Sequence, residues 1–271
     1  MPATTADKRA TFRKLHEAGC FVLPNPWDVG SAKALQRLGF KAVASTSAGF
    51  AWSIGKADNR VTLDEVCEHL AALCTAIDLP VNADFEGGFA HKPEKVAVNV
   101  ARAVMTGVAG LSIEDSTGDA ANPLYERAFA IERIKAARSA IDADNSGVLL
   151  AGRCEGFLVG QTDLNMVIDR LQAYAEAGAD CLYAPGIKTR EQISAVVTAV
   201  HPKPVNLLIG ASGLSVAEAA DLGVRRISVG GSLARTAWGG FMRAAREIAE
   251  KGTFSELGNG YPGGELNKMF S

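Results

Sequence analysis

Asp84 and Glu86 stand two residues apart in the stretch Val81-Asn82-Ala83-Asp84-Phe85-Glu86. On an extended chain residues i and i+2 share a face, so both carboxylates point the same way. Glu114 and Asp115 close the next apolar run, Gly110-Leu111-Ser112-Ile113-Glu114, and Asp58 follows the run before. Acids brought to one place repel each other and hold protons unless a cation neutralises them. Carboxylate oxygens suit a hard ion, Mg²⁺ or Mn²⁺. The four histidines, His16, His69, His91 and His201, are scattered without a zinc-binding spacing. The plain alternative is that these acids cap helices or pair with surface lysines and arginines. Three of them at successive run ends, followed by Gly87-Gly88, favour a metal site on Asp84, Glu86 and Glu114. Spacing alone does not order Glu114, Asp115 and Asp119.

Arg153 ends another apolar run, Val148-Leu149-Leu150-Ala151-Gly152-Arg153. A guanidinium there needs an anion, and its planar fork suits a substrate carboxylate. Glu155 or a metal-site acid is the competing partner. Ser45, Thr46 and Ser47 lead into Ala48-Gly49 and offer hydroxyls and closely spaced N–H groups to a carboxylate or enolate oxygen. Asn206 interrupts an apolar run, and Trp52 and Tyr183 are candidate walls for a small pocket, although an aromatic is more often plain packing. The glycines at 210–213 and Gly230-Gly231-Ser232 follow the last two runs, a usual phosphate position in a barrel but weak evidence alone.

These residues fall at the ends of short apolar runs that alternate with stretches of helical period. Strands are expected at 21–23, 43–45, 81–86, 110–114, 148–153, 181–183, 204–209 and 226–229. Helices are expected at 31–38, 63–77, 93–107, 130–141, 164–176, 190–200, 216–222 and 233–250, with Pro93 suited to a first turn. Eight such units predict a single (β/α)₈ barrel, because an open doubly wound sheet usually has about six strands. Gly39, Gly107, Gly178 and Gly223 each stop a helix shortly before strands two, four, six and eight. Neither a dinucleotide-binding glycine loop nor a phosphate loop is visible. Residues 1–250 are expected to form the catalytic barrel. Residues 251–271 form a tail, broken by glycines 258–264, that packs on the barrel or on a neighbouring subunit.

Apolar residues make up 48% and charged residues 21% of the 271, an ordinary globular mixture. A formal charge of −2 offers no basic surface for nucleic acid. Five irregularly spaced cysteines read as free thiols. The first ten residues lack an apolar leader, and no stretch reaches the ~20 apolar residues of a membrane span. A cytoplasmic enzyme with a small-molecule substrate is expected.

With its motifs placed, the chain resembles the isocitrate lyase and phosphoenolpyruvate mutase superfamily over about residues 21–248. The marks are Asn25-Pro26-Trp27-Asp28, Ser45-Thr46-Ser47-Ala48-Gly49, Ala83-Asp84-Phe85-Glu86-Gly87-Gly88 and Ser112-Ile113-Glu114-Asp115. The resemblance implies a Mg²⁺-dependent barrel that makes or consumes a pyruvate-like enolate. It places the metal acids on Asp84, Glu86 and Glu114, with Asp58 by the metal and its waters. It places the carboxylate-binding arginine on Arg153 and the oxo-acid loop on Ser45, Thr46 and Ser47. It also implies a homotetramer or dimer of dimers, often with the last helix exchanged between subunits. The lyases' Lys-Lys-Cys-Gly-His loop is absent; residues 116–125 read Ser-Thr-Gly-Asp-Ala-Ala-Asn-Pro-Leu-Tyr. The mutases' histidine after strand six is replaced by Ala184-Pro185-Gly186, and their gating lysine falls near Ala120. What the resemblance leaves is an oxaloacetate decarboxylase-like lyase, with Asp58, Arg153 and Ser45 catalytic and Asp119, Asn122 and Tyr125 on the gating loop. The alternatives are C–C cleavage of a substituted malate or methylisocitrate-like acid, phosphonopyruvate chemistry, and a catalytically silent barrel with a binding or scaffold role.

Overall fold

The computed structural model describes residues 2–143, 145–211 and 213–271. Its eight parallel strands are β1 (Phe21–Leu23), β2 (Val43–Ala44), β3 (Val81–Asp84), β4 (Gly110–Glu114), β5 (Leu149–Arg153), β6 (Cys181–Tyr183), β7 (Val205–Leu208) and β8 (Arg226–Ser228). They pair in the order β1-β8-β7-β6-β5-β4-β3-β2. Between the two ends, the Ala44 N–H donates to the Pro24 carbonyl at 3.0 Å, so the sheet curls into a nearly closed (β/α)₈ barrel. The expected fold class stands.

Around it lie α1 (Thr5–Leu15), α2 (Val29–Arg37), α3 (Ser47–Ser53), α4 (Leu63–Ala76), α5 (Pro93–Met105), α6 (Arg127–Ala143), α7 (Leu164–Glu176), α8 (Arg190–Val200), α9 (Val216–Asp221), α10 (Ser232–Lys251) and α11 (Gly263–Phe270). Reciprocal capping boxes start several of them, as at Thr62 with Glu65 and Thr189 with Gln192. Gly39, Gly107, Gly178 and Gly223 all take left-handed φ between 84° and 105°, the conformation a helix-ending glycine supplies.

Three helices, α1, α3 and α11, lie outside the expected set. The strongly polar α1 has only Phe12 and Leu15 as large apolar residues, so it shows no amphipathic stripe. It is held instead by a Thr4–Asp7 capping box and by Lys8, whose Nζ donates to the carbonyls of Cys74 and Ile77 at 2.7 and 2.6 Å. Phe12 is fully buried with Leu23, Ala42, Ala44 and Leu149, and so plugs the N-terminal end of the barrel. The short α3 begins within the Ser45–Gly49 segment, capped by the Thr46 hydroxyl. The third of these helices lies in the tail. Gly263 and Gly264 open α11 rather than break a helix, and α11 packs on α2 of the same chain. Only Ala234 of α10 is buried, while Trp238, Phe241, Met242 and Ile248 are exposed. No helix among the described residues is long and apolar enough to cross a membrane.

The Phe12 plug needs a glycine opposite it. A Cβ at Gly110 would lie 2.6 Å from the Phe12 ring, 2.7 Å from Asn82 Oδ1 and 3.2 Å from the Leu149 carbonyl. Gly110→Ala is therefore expected to destabilise the barrel by about 1–3 kcal/mol, seen as a lower urea midpoint at unchanged slope.

Candidate functional site

The C-terminal ends of the strands open onto a cavity of about 170 Å³. Of the residues singled out in the sequence, Ser45, Thr46, Ser47, Asp58, Asp84, Arg153, Tyr183 and Asn206 line it. Arg153 is the hub. Its Nη1 lies 3.1 Å from Asp84 and 3.3 Å from Glu114, and its Nε donates to Glu155 at 2.5 Å. The guanidinium also sits 5.1 Å from the centre of the Tyr183 ring. Arg153 thus pairs with the acids that compete for it in the sequence.

Asp84 ends β3 in a fixed posture. Its Oδ2 accepts from the Ser47 N–H and hydroxyl, both at 3.0 Å, and its own N–H donates to Ser45 Oγ at 2.9 Å. Ser45 and Ser47 therefore aim the carboxylate as well as facing the cavity. Asn25 joins three strand ends: its Nδ2 donates to the Ser45 carbonyl at 2.8 Å, and its Oδ1 accepts from Val229 and Gly230 at 3.0 and 2.9 Å. It lines the cavity, and its sequence signal, Asn-Pro after strand one, points only to family likeness.

Glu86 and Glu114 stand beside the cavity, joined by the Glu114 N–H donating to the Glu86 carbonyl at 3.0 Å. Burial pushes the Glu86 carboxyl up to about 7, helped by the charges of Asp84 and Asp58. Burial also raises Glu114, opposed by Arg153. Asp58 is raised by burial, opposed by the Asn59 N–H. Glu86 Oε1 is buried with no hydrogen-bond partner. Among the described residues no three acids already converge in metal-ligand geometry, because Arg153 lies between Asp84 and Glu114. The donor set still fits a hard cation. It is all oxygen, it includes an orphaned buried carboxylate oxygen, and burial makes Glu86 and Glu114 hold protons more tightly than free carboxyls do.

Other expected residues lie elsewhere. Trp52 borders a separate, wide depression with Lys56, Arg235 and Trp238, its ring turned outward past Gly231. Asp119 and Asn122 are exposed and bond within their own turn, where Asp119 Oδ1 accepts from the Ala121 N–H at 2.9 Å. Tyr125 is buried beneath the loop, with the Arg133 guanidinium 4.1 Å from its ring centre. Among these three none lines the cavity, and the reason is local: the turn closes on itself through the Ser116–Leu124 bridge. Asp115 faces away from the cavity, accepting from the Glu155 N–H, Arg170 and the Tyr174 hydroxyl at 2.8, 3.3 and 2.6 Å. Gly230 and Gly231 line the cavity; Ser212 of the preceding glycine segment lies outside the described residues.

The phosphoenolpyruvate phosphomutase family model matches residues 12–249. A solved structure from Burkholderia cenocepacia J2315, described as a lyase/mutase, is 47% identical over 98% of this chain and 97% of its own, with a TM-score of 0.95. Oxaloacetate acetylhydrolase in complex with oxalate is 26% identical over 99% of this chain and 94% of its own, with a TM-score of 0.86. The oxaloacetate decarboxylase of Rhodopseudomonas palustris (strain ATCC BAA-98 / CGA009) is 29% identical over 235 residues, 82% of this chain and 77% of that protein.

The unpartnered Glu86 oxygen makes a pH signature. A carboxyl raised in the folded state adds stability below its unfolded value near 4.5 and loses it as pH rises through about 7. In cation-free buffer, Glu86→Gln is expected to stabilise the protein at pH 8 by about 1–3 kcal/mol. The gain should vanish near pH 5 when urea unfolding of the two proteins is compared across that range.

Proposed function

This chain belongs to the phosphoenolpyruvate phosphomutase family, and from that premise we propose that it is a Mg²⁺-dependent lyase acting on a small α-oxo diacid through a pyruvate-like enolate, with oxaloacetate the simplest substrate. One observation carries the reading: Arg153 and Asp84 meet at the mouth of the cavity, with the Ser45–Ser47 segment on one side and the orphaned Glu86 oxygen beside them. Asp84, Glu86 and Glu114 would hold the cation, with Asp58 near its waters. A bound divalent cation supplies positive charge where negative charge develops on the substrate's oxygens.

The chain's own residues do the rest. Arg153 offers a planar donor fork to the substrate carboxylate, backed by the Tyr183 ring. Ser45, Thr46 and Ser47 offer hydroxyls to the oxo-acid end. When the bond to the leaving carboxylate breaks, CO₂ departs and its electron pair passes to the oxo oxygen as an enolate. The methylene carbon must then receive a proton. Asp58 lines the cavity, whereas Asp119 and Tyr125 do not, and burial makes its carboxyl hold a proton more tightly. Asp58 is therefore the proposed donor. Oxaloacetate decarboxylase and oxaloacetate acetylhydrolase among the relatives support an oxo-diacid; 2,3-dimethylmalate lyase, 26% identical, supports C–C cleavage of a substituted acid as the second reading.

Feeding oxaloacetate with Mg²⁺ is expected to yield pyruvate and CO₂, with the yield abolished by a chelator and kcat/KM lowered by about 100-fold or more in Asp84→Ala. Pyruvate from 2,3-dimethylmalate or methylisocitrate alone would favour the second reading, and turnover of phosphonopyruvate alone would favour C–P chemistry. No turnover and no Mg²⁺ binding heat would leave a silent barrel.

The bare apolar face of α10 supports a homo-oligomer, a tetramer or dimer of dimers with α10 exchanged between subunits. Light scattering on wild type and Phe241→Glu tests this: the variant is expected to shift to a smaller species, and a wild-type monomer would refute it.

A further inference from the structure

A second guanidinium lies in the floor of the cavity. Arg226 opens β8, is 3% exposed, and lines the same cavity as Arg153. Barrel interiors are usually filled by Val, Ile and Leu. Here Asn82, Ser112, Asn206, Arg226 and Ser228 occupy that space, all buried and all lining the cavity. Arg226 Nε donates to Asn206 Oδ1 at 2.8 Å, and Nη1 donates to Asn82 Oδ1 at 3.3 Å and lies 3.4 Å from His16 Nε2. His16 Nδ1 lies 2.7 Å from the Phe12 carbonyl, so Nδ1 carries the proton and Nε2 accepts from Arg226. Burial, then the Arg226 charge, push His16 down to about 3 and keep it neutral.

Every group that holds Arg226 is therefore uncharged. Among the described residues it forms no ion pair, and its Nη2 makes no hydrogen bond. Burying a guanidinium against neutral acceptors alone leaves most of its desolvation cost uncompensated. Arg153, by contrast, has three carboxylates. The strand register links the two: Glu114, Arg153, Tyr183, Asn206 and Arg226 are successive pairing partners across β4 to β8. That row runs from the last residue of β4 to the first of β8, from the mouth down to the floor.

We propose that Arg226 is an anion-binding subsite that receives a further carboxylate at the far end of the substrate, making the enzyme selective for oxaloacetates whose C3 carries a carboxylate-ended substituent. The oxo-acid head group lies at Arg153 and Asp84, and the tail descends past Tyr183 and Asn206; this orientation rests on the function proposed above. A guanidinium stabilises a carboxylate more than the neutral CO₂ it would become. The group on Arg226 is thus one the reaction retains while the carboxylate on C3 leaves as CO₂, and oxaloacetate, which lacks the retained third carboxylate, is a minimal substrate.

The test is calorimetric binding of a matched pair, 2-oxopentanoate and 2-oxoglutarate, with Mg²⁺ present. Wild type is expected to prefer the diacid by about tenfold or more, and Arg226→Gln to bind the two about equally. Equal binding by wild type, or a preference that survives in Arg226→Gln, overturns the proposal. Asn206→Asp covers the case in which Arg226→Gln fails to fold. It places a carboxylate against Arg226 Nε, which should cancel the preference by supplying an internal counter-ion; an intact preference in folded Asn206→Asp overturns the proposal equally. Should neither oxo acid bind wild type, the head-group reading fails instead, and succinate decides for Arg226. A rise in melting temperature with succinate in wild type but not in Asn206→Asp upholds the subsite, and the same response in both proteins overturns it.

Discussion

The mouth of this barrel is organised by carboxylates that cannot all be charged unless something positive stands among them. Arg153 is that charge in the structure, bonded to Asp84, Glu114 and Glu155 at once. One guanidinium does not balance this set: Glu86 and Asp58 both keep raised pKa values, and Glu86 has an oxygen without a donor. A lone buried carboxylate would be a defect, because its desolvation is not repaid. Several sharing a deficit of positive charge beside a cavity make a site suited to a cation, whose arrival would convert mutual repulsion into ligation.

Holding acids this close requires a frame that resists their repulsion, and two buried arginines provide much of it. Arg170 donates to Asp115 and to the Tyr125 carbonyl at 3.3 and 3.0 Å, tying the base of the 116–125 turn to α7. Arg133, on α6, donates to the carbonyls of Gly87, Ala90 and His91. The segment it grips contains Glu86 and Phe89 at φ 48° and 54°, a left-handed conformation that costs a non-glycine residue roughly 1 kcal/mol or more. Asn99 adds a donor to the Gly88 carbonyl at 2.9 Å. The strained turn directs the Glu86 side chain beside Asp84 rather than along the strand, so Arg133 positions the carboxylate without touching it.

How much of this is legible in the sequence depends on whether a residue's partners are local. The strands stand out as apolar runs, and the helix ends as glycines whose conformation few other residues adopt. Asp84, Ser45 and Arg153 are visible because a polar side chain at the end of an apolar run is seldom there for packing. The helix α1 is not visible, since Phe12 is its one fully buried anchor and the tie through Lys8 reaches residues 66 and 69 positions away. Trp52 suggests a pocket wall and Tyr125 a gating residue, yet both pack elsewhere, because an aromatic's place in the chain does not say which cavity it meets. Arg226 shows in the sequence only as the opening residue of a strand, and nothing adjacent marks it: its partners Asn206, Asn82 and His16 lie 20, 144 and 210 positions away.

That polar floor has a structural consequence. Side chains as small as Ser112 and Ser228, and as hydrophilic as Asn82 and Asn206, cannot give the barrel centre the dispersion contacts that branched aliphatics would. The apolar core lies instead between the sheet and its helices, where Leu70, Val100, Ile134 and Leu171 are buried, while Phe12 seals the bottom. Separating the two tasks frees the axis of the barrel. Cohesion comes from the outer layer, and the interior can keep a cavity, a charge and a hydrogen-bonded floor without bringing down the fold around them.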